Sequence, residues 1–226
     1  MPDKTSIIDA LSKIDTPTLS NAIERLKVRN PIMGFADRSI RCMFPDLGFM
    51  CGYAVTAEVE TMNPDIQGVL DQAFVDLCEA IEKSPKPVVV VLRETGPNPH
   101  FCAHCGEVLA TTFQRLGAVG LVSDSGVRDM KEVHGLKFHY FAPGAVASHG
   151  NFRFVRAQVA VTVGGLPIKP GDLLHGDLNG LIKVPEESRD RLPQAAAEVT
   201  KAEKAVLDFV RGDSFTLDGL KKRIVH

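Results

Sequence analysis

The chain has 226 residues, of which 44% are hydrophobic and 24% charged, and its formal net charge is -2. These values exclude a disordered chain, because enough apolar surface can be buried to offset the conformational entropy of folding. The balance of 26 Lys and Arg against 28 Asp and Glu, with no basic run longer than residues 221–223, argues against a nucleic-acid partner.

The first half of the chain alternates helical and strand patterns. Residues 6–13 predict a short helix, and Thr16 followed by Pro17 predicts the N-cap and first residue of a second helix. Residues 52–61 alternate apolar and polar side chains, which is typical of a half-buried strand. Residues 88–92 are continuously apolar and predict a strand buried on both faces. The other predicted elements here are a helix over 66–83 that buries one apolar stripe, a helix near 106–116 and a strand near 119–123.

The second half favours β-structure and then a helix. Residues 152–163 are strand-like, and two short apolar segments flank Asn179-Gly180, a dipeptide that favours a hairpin turn. Residues 185–211 are charged and rich in Ala, which predicts a long helix that closes the chain and stops at Gly212. We therefore expect a single α/β domain over residues 1–226.

The apolar runs, the start of the sequence and the cysteines bear on the cellular compartment. The longest tight apolar run covers residues 88–92, whereas a membrane-spanning helix needs about 20 apolar residues, so we expect no membrane partner. No charged and then apolar leader opens the sequence. The five cysteines are odd in number and scattered, which is typical of reduced thiols. These features predict a cytoplasmic protein.

Residues 105–129 hold the polar groups best suited to chemistry. Gly106 and Glu107 begin a predicted helix, whose first backbone N–H groups can bind a carboxylate. The strand near 119–123 ends at residues 124–129 (DSGVRD), and ligand-binding loops of open α/β sheets follow the carboxyl ends of strands. Arg128 offers a planar cation for a carboxylate, and Asp129 a hard oxygen donor for Mg²⁺. The pair could bind a small 2-oxo acid, although an Arg-Asp pair near a loop is more often a surface ion pair.

The order of several motifs resembles the RraA-like family, which includes 4-hydroxy-4-methyl-2-oxoglutarate aldolases with oxaloacetate decarboxylase activity. The motifs are residues 16–22 (TPTLSNA), 106–110 (GEVLA) with 117–122 (GAVGLV), 124–129 (DSGVRD), and 165–172 (GLPIKPGD) with 177–180 (DLNG). The resemblance implies a layered α-β-β-α sandwich of the swivelling β/β/α type with a long C-terminal helix. The chain departs from the family pattern at Ser125, where Gly is common, and at Asn21, where Asp is common.

The resemblance also implies roles for individual residues. Asp129 matches the family's single protein ligand to Mg²⁺ or Mn²⁺, and Arg128 matches the residue that contacts substrate oxygens and offsets the charge of an enolate. Glu107 lies where the aldolases place an acid that holds a metal-bound water for proton transfer. The backbone N–H groups expected to bind the substrate carboxylate follow Gly106 and belong to Val108 and Leu109. Glu203 is the best match to an acid donated by a neighbouring subunit.

The implied activity is cleavage of a carbon–carbon bond in a 2-oxo acid. Retro-aldol cleavage and decarboxylation both leave the enolate of pyruvate, so one site that stabilises this enolate can serve both reactions. Family members form rings with shared sites, which implies a homotrimer or homohexamer. The alternative is a non-catalytic, protein-binding regulator of the ribonuclease E inhibitor type, which keeps the Arg-Asp pair but has an amide in place of Glu107. Because this chain has Glu at position 107, the sequence favours the enzyme over the regulator.

Another cluster of the sequence allows different chemistry. Cys102-Ala103-His104-Cys105 forms a CxxC pair with His100 close by, which could make a zinc or redox site. A structural zinc site usually needs a second pair of ligands, and none follows nearby. Thiols that pack in the core or line the site are the more common outcome, so the role of Cys102 and Cys105 stays open at this point.

The remaining glycines and histidines give weaker signals. Gly117, Gly120 and Gly126 do not have the Rossmann spacing, so close packing between strand and helix is the more common explanation. The histidines outside the cluster lack the spacing of a metal site and are expected to be surface or core residues; they include His134, His149 and His175.

Overall fold

A mixed eight-stranded sheet runs through the computed structural model, which describes residues 4–61 and 72–224. The strands, in chain order, are β1 (Arg41–Cys42), β2 (Met50–Thr61), β3 (Val88–Glu94), β4 (Ala103–Cys105), β5 (Ala118–Ser123), β6 (Gly126–Val127), β7 (His139–Ala142), β8 (Phe152–Ala157), β9 (Val161–Val163), β10 (Leu166–Ile168), β11 (Leu173–Asp177) and β12 (Gly180–Val184). The α-helices are α1 (Lys4–Leu11), α2 (Thr16–Arg25), α3 (Gln72–Lys83), α4 (Glu107–Arg115), α5 (Met130–Gly135), α6 (Leu192–Arg211) and α7 (Leu217–Ile224).

The centre of the sheet is parallel and its margins are antiparallel. Strands β2, β3, β5 and β7 pair in parallel, so their carboxyl ends meet at one edge. Strands β8 and β11 pair antiparallel with β2, β12 with β11, and β1 with β7. Two small sheets lie outside this order, β9 with β10 and β4 with β6. The β4–β6 pair joins residues that follow β3 and β5, and it therefore lies where the candidate site is expected.

Both faces of the central strands are covered. Because side chains alternate along a strand, Val90 and Val89 of β3 point to opposite faces. Val90 shares a core with the apolar sides of α3, α4 and α5, including Leu77 and Phe113. Val89 shares another core with β9 and β10. A third core joins α1, α2 and α6 to β2, β11 and β12. The layers are thus helices, the main sheet and a smaller β-layer, and α6 is the long C-terminal helix that the sequence predicts.

This double coverage corrects one prediction about β2. The alternation over residues 52–61 predicts a half-buried strand, but the first eight residues of β2 are all buried. The polar residue Thr56 is accommodated because its hydroxyl donates to the carbonyl oxygen of Val159 at 2.5 Å. The predicted alternation appears only near the end of the strand, where Glu58 and Glu60 are partly exposed and Val59 between them is buried. The prediction that β3 is buried on both faces is confirmed.

The start of α2 also differs from the prediction. Asp15, not Thr16, is the N-cap, and its carboxylate accepts a hydrogen bond from the Thr18 N–H at 2.9 Å. Pro17 lies in the first turn as expected. The Thr16 hydroxyl instead bonds Nδ1 of His175 at 3.0 Å. Asp and Thr are both favourable N-caps, so the local sequence does not distinguish them.

Three further predictions change at their boundaries. Residues 152–163 form two strands, because Gln158 between β8 and β9 adopts a left-handed conformation with φ of 57°. The helix predicted over 66–83 is seen as α3, which buries Leu77 and Ile81; its first part, including Ile66, lies outside the described residues. The long helix predicted over 185–211 stops at Gly212 as expected, but it begins at Leu192 after a 3₁₀ helix over Glu186–Arg191, and α7 follows it. Among the described residues, no helix is long and apolar enough to cross a membrane.

Candidate active site

The loop between β5 and α5 carries Arg128 and Asp129. It begins at the carboxyl edge of the parallel strands, where open sheets place their ligand-binding residues. Strand β6 in this loop pairs with β4, and the Arg128 N–H donates to the Cys105 carbonyl oxygen at 2.9 Å. This pairing places Arg128 and Asp129 beside Gly106, the residue that precedes α4.

Asp129 has a left-handed backbone conformation, with φ of 55° and ψ of 44°. Such a conformation costs a residue other than Gly about 1–3 kcal/mol and persists only where its surroundings hold it, often at functional sites. The Oδ2 atom of Asp129 accepts a hydrogen bond from the Glu107 N–H at 2.8 Å and lies 3.7 Å from Nε of Arg128. The Asp129 carboxylate is therefore fixed between the start of α4 and the guanidinium group.

Gly106 makes this close approach feasible. A Cβ atom at position 106 would lie 2.4 Å from Oδ2 of Asp129 and 3.0 Å from Nε of Arg128. The φ of Gly106 is -129°, which any residue can adopt, so the need for Gly comes from space and not from backbone strain. The glycine thus allows a carboxylate and a guanidinium to lie against the backbone at the helix start.

The first turn of α4 presents backbone donors beside this pair. The N–H groups of the first residues of a helix have no partner within the helix. The Glu107 N–H is taken by Asp129, whereas the N–H groups of Val108 and Leu109 have no hydrogen-bond partner among the described residues. The Val108 side chain is 78% exposed. Two donors at the positive end of a helix dipole are therefore available to an anion.

The two acidic residues predicted to assist have different places. Glu107 is exposed at the first position of α4, with its backbone bound to Asp129. Glu203 is exposed on α6, where its Oε1 accepts a hydrogen bond from Nδ2 of Asn21 at 3.0 Å. Helix α6 packs mainly on α2, α7 and α1. The single chain therefore brings together Gly106, Glu107, Arg128 and Asp129 but does not bring Glu203 to them.

The donor set at this place fits a divalent cation held by one carboxylate. No group of three or more His, Cys, Asp or Glu side chains suited to a metal occurs in residues 4–61 and 72–224. Oδ1 of Asp129 makes no hydrogen bond within these ranges, and the side chain is 36% exposed, so water can reach it. Carboxylate oxygen and water are the ligands that Mg²⁺ and Mn²⁺ prefer. Asp129, with Glu107 close by, could hold such an ion.

A buried polar network that the sequence did not reveal lies behind the site. Nε2 of His104 lies 2.7 Å from Oε2 of Glu94, and Nδ1 lies 2.9 Å from Oγ of Ser123. All three side chains are buried. Burial raises the pKa of Glu94, but hydrogen bonds from His104, Thr61 and Gly96 outweigh it and hold that pKa below the ordinary value. The three residues come from β3, β4 and β5, and no local motif joins them.

The loop itself is tied to the end of β3. Oδ1 of Asp124 accepts a hydrogen bond from the Glu94 N–H at 2.8 Å, and its Oδ2 contacts the Arg93 guanidinium. The next residue, Ser125, is where the chain departs from the family pattern. Its Oγ lies 2.8 Å from the carbonyl oxygen of Cys102. The departure therefore adds a contact between the loop and the segment that leads into β4.

The cysteine pair does not have the features of a redox or zinc site. Both thiols are buried, and burial raises the pKa of Cys105 to about 12 and also raises the pKa of Cys102. Reactive thiols have a lowered pKa instead. Sγ of Cys102 lies 3.9 Å from Oγ of Ser125. Both cysteines therefore pack in the core behind the site.

The other histidines lie apart from Asp129. His134 on α5 is partly exposed, with Nε2 2.6 Å from a carboxylate oxygen of Asp46. His149 is exposed in a loop, with Nδ1 2.5 Å from the Gly150 carbonyl oxygen. His175 is buried in β11. These positions agree with the prediction of surface and core histidines.

Comparisons with known sequences point to one family. A family model described as RraA-like, Aldolase/RraA, matches residues 7–183, which is well over half of the chain. The protein DlpA of Legionella pneumophila is 26% identical over 144 residues, covering 63% of this chain and 23% of that protein. A Halalkalibacterium halodurans protein with the provisional name 4-hydroxy-4-methyl-2-oxoglutarate aldolase is 29% identical over 134 residues, covering 57% and 62%. The matches thus span less than two thirds of the length of either relative.

Comparison with solved structures supports the fold. RraAS2 of Streptomyces coelicolor, described as an unusual member of the RNase ES inhibitor RraA protein family, superposes with a TM-score of 0.70. The match covers 90% of this chain and 96% of that chain at 22% sequence identity. At this identity the likeness concerns the fold alone. It confirms the predicted layered α/β fold with a long C-terminal helix.

Proposed function

Because the chain belongs to the RraA-like family, we propose that it is a divalent-metal-dependent lyase acting on a 2-oxo acid. The reaction is cleavage of a carbon–carbon bond, by retro-aldol cleavage or decarboxylation, with release of pyruvate. Substrates of this class include 4-hydroxy-4-methyl-2-oxoglutarate and oxaloacetate. The observation that carries the proposal is the fixed Asp129 carboxylate, which lies between Arg128 and the open N–H groups of α4.

The chain's own groups divide the work of substrate binding. A 2-oxo acid carries a carboxylate, which the N–H groups of Val108 and Leu109 can bind at the start of α4. The guanidinium of Arg128 lies beside Gly106, the residue that precedes α4, and would offset the negative charge that develops on the substrate oxygen as the bond breaks. Removing a comparable donor in other enzymes costs about 3–4 kcal/mol of transition-state stabilisation. Arg128 therefore both orients the substrate and lowers the barrier.

Proton transfer falls to Glu107. Glu107 is exposed at the first position of α4, and its backbone N–H is bound to Oδ2 of Asp129. An exposed carboxylate at this place can take a proton from a bound water or return one to the enolate carbon. Asp129 and water would hold the divalent ion, which supplies Lewis acidity when bound. We assign Glu203 to the site of a neighbouring subunit, in a trimer or hexamer.

Turnover of oxaloacetate and of 4-hydroxy-4-methyl-2-oxoglutarate, with Mg²⁺ or Mn²⁺ and with excess chelator, tests the proposal. Arg128→Ala should lower kcat/KM by about 100-fold or more. Asp129→Asn should abolish the response to metal, and it is preferable to Asp129→Ala because Asn tolerates the left-handed conformation. Lys131→Ala, on the exposed side of α5, is the matched control. Absence of turnover by the wild type, or full activity of Asp129→Asn, contradicts the proposal.

The second candidate is a non-catalytic regulator that binds a ribonuclease. It is motivated by the family description, Aldolase/RraA, and by the description of RraAS2 as a member of the RNase ES inhibitor RraA protein family. The acid at position 107 distinguishes the candidates, because the regulator branch has an amide there. A chain that inhibits ribonuclease E without turning over either 2-oxo acid would support the regulator, and Glu107→Gln would then leave inhibition unchanged.

A further inference from the structure

The Glu94, His104 and Ser123 network joins the ends of three strands behind the candidate site. Glu94 is the last residue of β3, His104 is the middle residue of β4, and Ser123 is the last residue of β5. The side chains of Glu94 and His104 are 1% and 0% exposed, and Ser123 is fully buried. This order of groups resembles a nucleophile, base and acid, but a hydroxyl that no substrate can reach does not act as a nucleophile.

Every proton in the network has one place when His104 is neutral. Four donors point at the Glu94 carboxylate: the N–H groups of Thr61 and Gly96, the Thr61 hydroxyl and Nε2 of His104. Oγ of Ser123 accepts from the Ser125 N–H at 3.0 Å, which leaves its one proton for Nδ1 of His104. A doubly protonated ring would leave the Ser123 proton without an acceptor. The contacts therefore favour a ring of His104 that donates from Nε2 to Glu94 and accepts the Ser123 proton at Nδ1.

His104 also links the two segments that build the site. Two residues after it comes Gly106, then Glu107 and the open N–H groups of α4. Directly after its partner Ser123 comes the loop that ends in Arg128 and Asp129. The two segments are thus joined at two places. One is the hydrogen bond between Asp129 and Glu107, and the other is the contact of the His104 ring with Ser123.

We propose that His104 is a positioning residue, which with Glu94 and Ser123 holds the Arg128–Asp129 loop in register with the start of α4. This proposal rests on the proposed function. The left-handed backbone of Asp129 persists only if neighbouring contacts hold it. The network supplies such contacts without touching the substrate. A displacement of about 1 Å at a reacting group can cost 100-fold in rate, so loss of the network affects kcat more than KM.

Two substitutions of His104 separate positioning from general packing. His104→Gln places an amide N–H near the position of Nε2, so it retains the bond to Glu94 and loses the link to Ser123. His104→Leu removes both links at similar size. His139→Leu is the matched control, because His139 is a buried histidine on β7 of the main sheet whose Nδ1 has no partner among the described residues.

We expect kcat for oxaloacetate to fall about tenfold in His104→Gln and about 100-fold in His104→Leu, with KM changed less than threefold. The control variant, His139→Leu, should retain kcat even if its melting temperature falls as much as that of the His104 variants. Hydrogen exchange provides a readout that needs no substrate or metal. The Glu107 and Arg128 amides, which bond Asp129 and Cys105, should exchange faster in the His104 variants and not in the control.

The outcomes decide the two proposals separately. If the wild type turns over no 2-oxo acid, the proposed lyase activity fails, while hydrogen exchange still tests the positioning role. Unchanged exchange at both amides in a folded His104→Gln or His104→Leu variant overturns the positioning role, as does full kcat in an active enzyme. Nitrogen NMR of histidine-labelled protein gives a further check, since a proton on Nδ1 of His104 contradicts the hydrogen-bond arrangement.

Discussion

Gly106 is the residue at which the site depends most on the absence of a side chain. In Gly106→Ala the new Cβ would meet Oδ2 of Asp129 at 2.4 Å, so the carboxylate must move away from Arg128 and from the helix start. We expect kcat/KM to fall by about 100-fold, with a loss of about 1–3 kcal/mol in the free energy of unfolding.

Gly135→Ala is the control for Gly106→Ala. Nothing lies within 4 Å of a Cβ at position 135, so this variant should keep full activity. Steady-state kinetics and chemical denaturation of both variants provide the measurement. An active Gly106→Ala enzyme would show that the position of the Asp129 carboxylate is not needed for turnover.

The site residues differ in how well the sequence alone can identify them. Arg128 and Asp129 are adjacent and follow a predictable strand, so their types and place suggest a site. The carboxylate of Glu94 and the ring of His104 are joined only because β3 and β4 end at the same edge. Ten positions and a loop separate the two residues, and neither is part of a local pattern. The sequence singles out His104 only for its neighbouring cysteines, which the structure places in the core.

The link between α2 and β11 predicts a dependence of stability on pH. His175 of β11 bonds the Thr16 hydroxyl, and Asp177 accepts the Thr16 N–H at 2.9 Å. Burial lowers the pKa of His175 to about 4, although Asp177 and Asp15 oppose this shift. Above pH 6.5 the ring is neutral in the folded and unfolded chain, so stability does not depend on its protonation there. Between pH 6.5 and about 4 only the unfolded chain takes the proton, and the folded state loses stability.

We therefore expect the free energy of unfolding to fall by up to about 1.4 kcal/mol per pH unit through this range. Urea denaturation of the wild type and of His175→Asn between pH 4.5 and 7.5 measures it. Asn retains a polar atom near the position of Nδ1 for Thr16, and it does not titrate. The wild type should lose more stability on acidification than the variant. Parallel profiles would rule out His175 as the titrating group.

The elements also show what periodicity can and cannot establish. The apolar run of β3 and the Ala-rich α6 are confirmed, because composition and length agree with their burial. The burial of β2 is missed, because alternation indicates only the local pattern and not what covers the second face. The single break at Gln158 depends on one left-handed residue, which no pattern of apolar residues predicts.

The whole molecule leaves apolar surface uncovered next to the candidate site and elsewhere. Val108, at the start of α4, is 78% exposed, and Ile32 and Leu178 are 77% and 69% exposed. Singly exposed apolar residues are ordinary on a protein surface, so these three do not by themselves indicate a subunit interface. The argument for a shared site comes from Glu203, because within one chain it contacts Asn21 and not the loop that carries Asp129. The proposed role of Glu203 in catalysis therefore requires a site that two subunits share.

Mixing two inactive variants tests this arrangement. Arg128→Ala and Glu203→Ala should each be inactive, but subunits exchanged in equal amounts should regain activity. A site is intact when the Glu203→Ala chain supplies Arg128 and an Arg128→Ala neighbour supplies Glu203, which random assembly gives in about a quarter of sites. Arg128→Ala mixed with Asp129→Asn is the control, because both changes damage the same side of every site and no assembly restores it. Confirmed exchange of subunits without any regain of activity would contradict the shared site, because Glu203 would then not act in the site of a neighbouring subunit, whatever reaction the site performs.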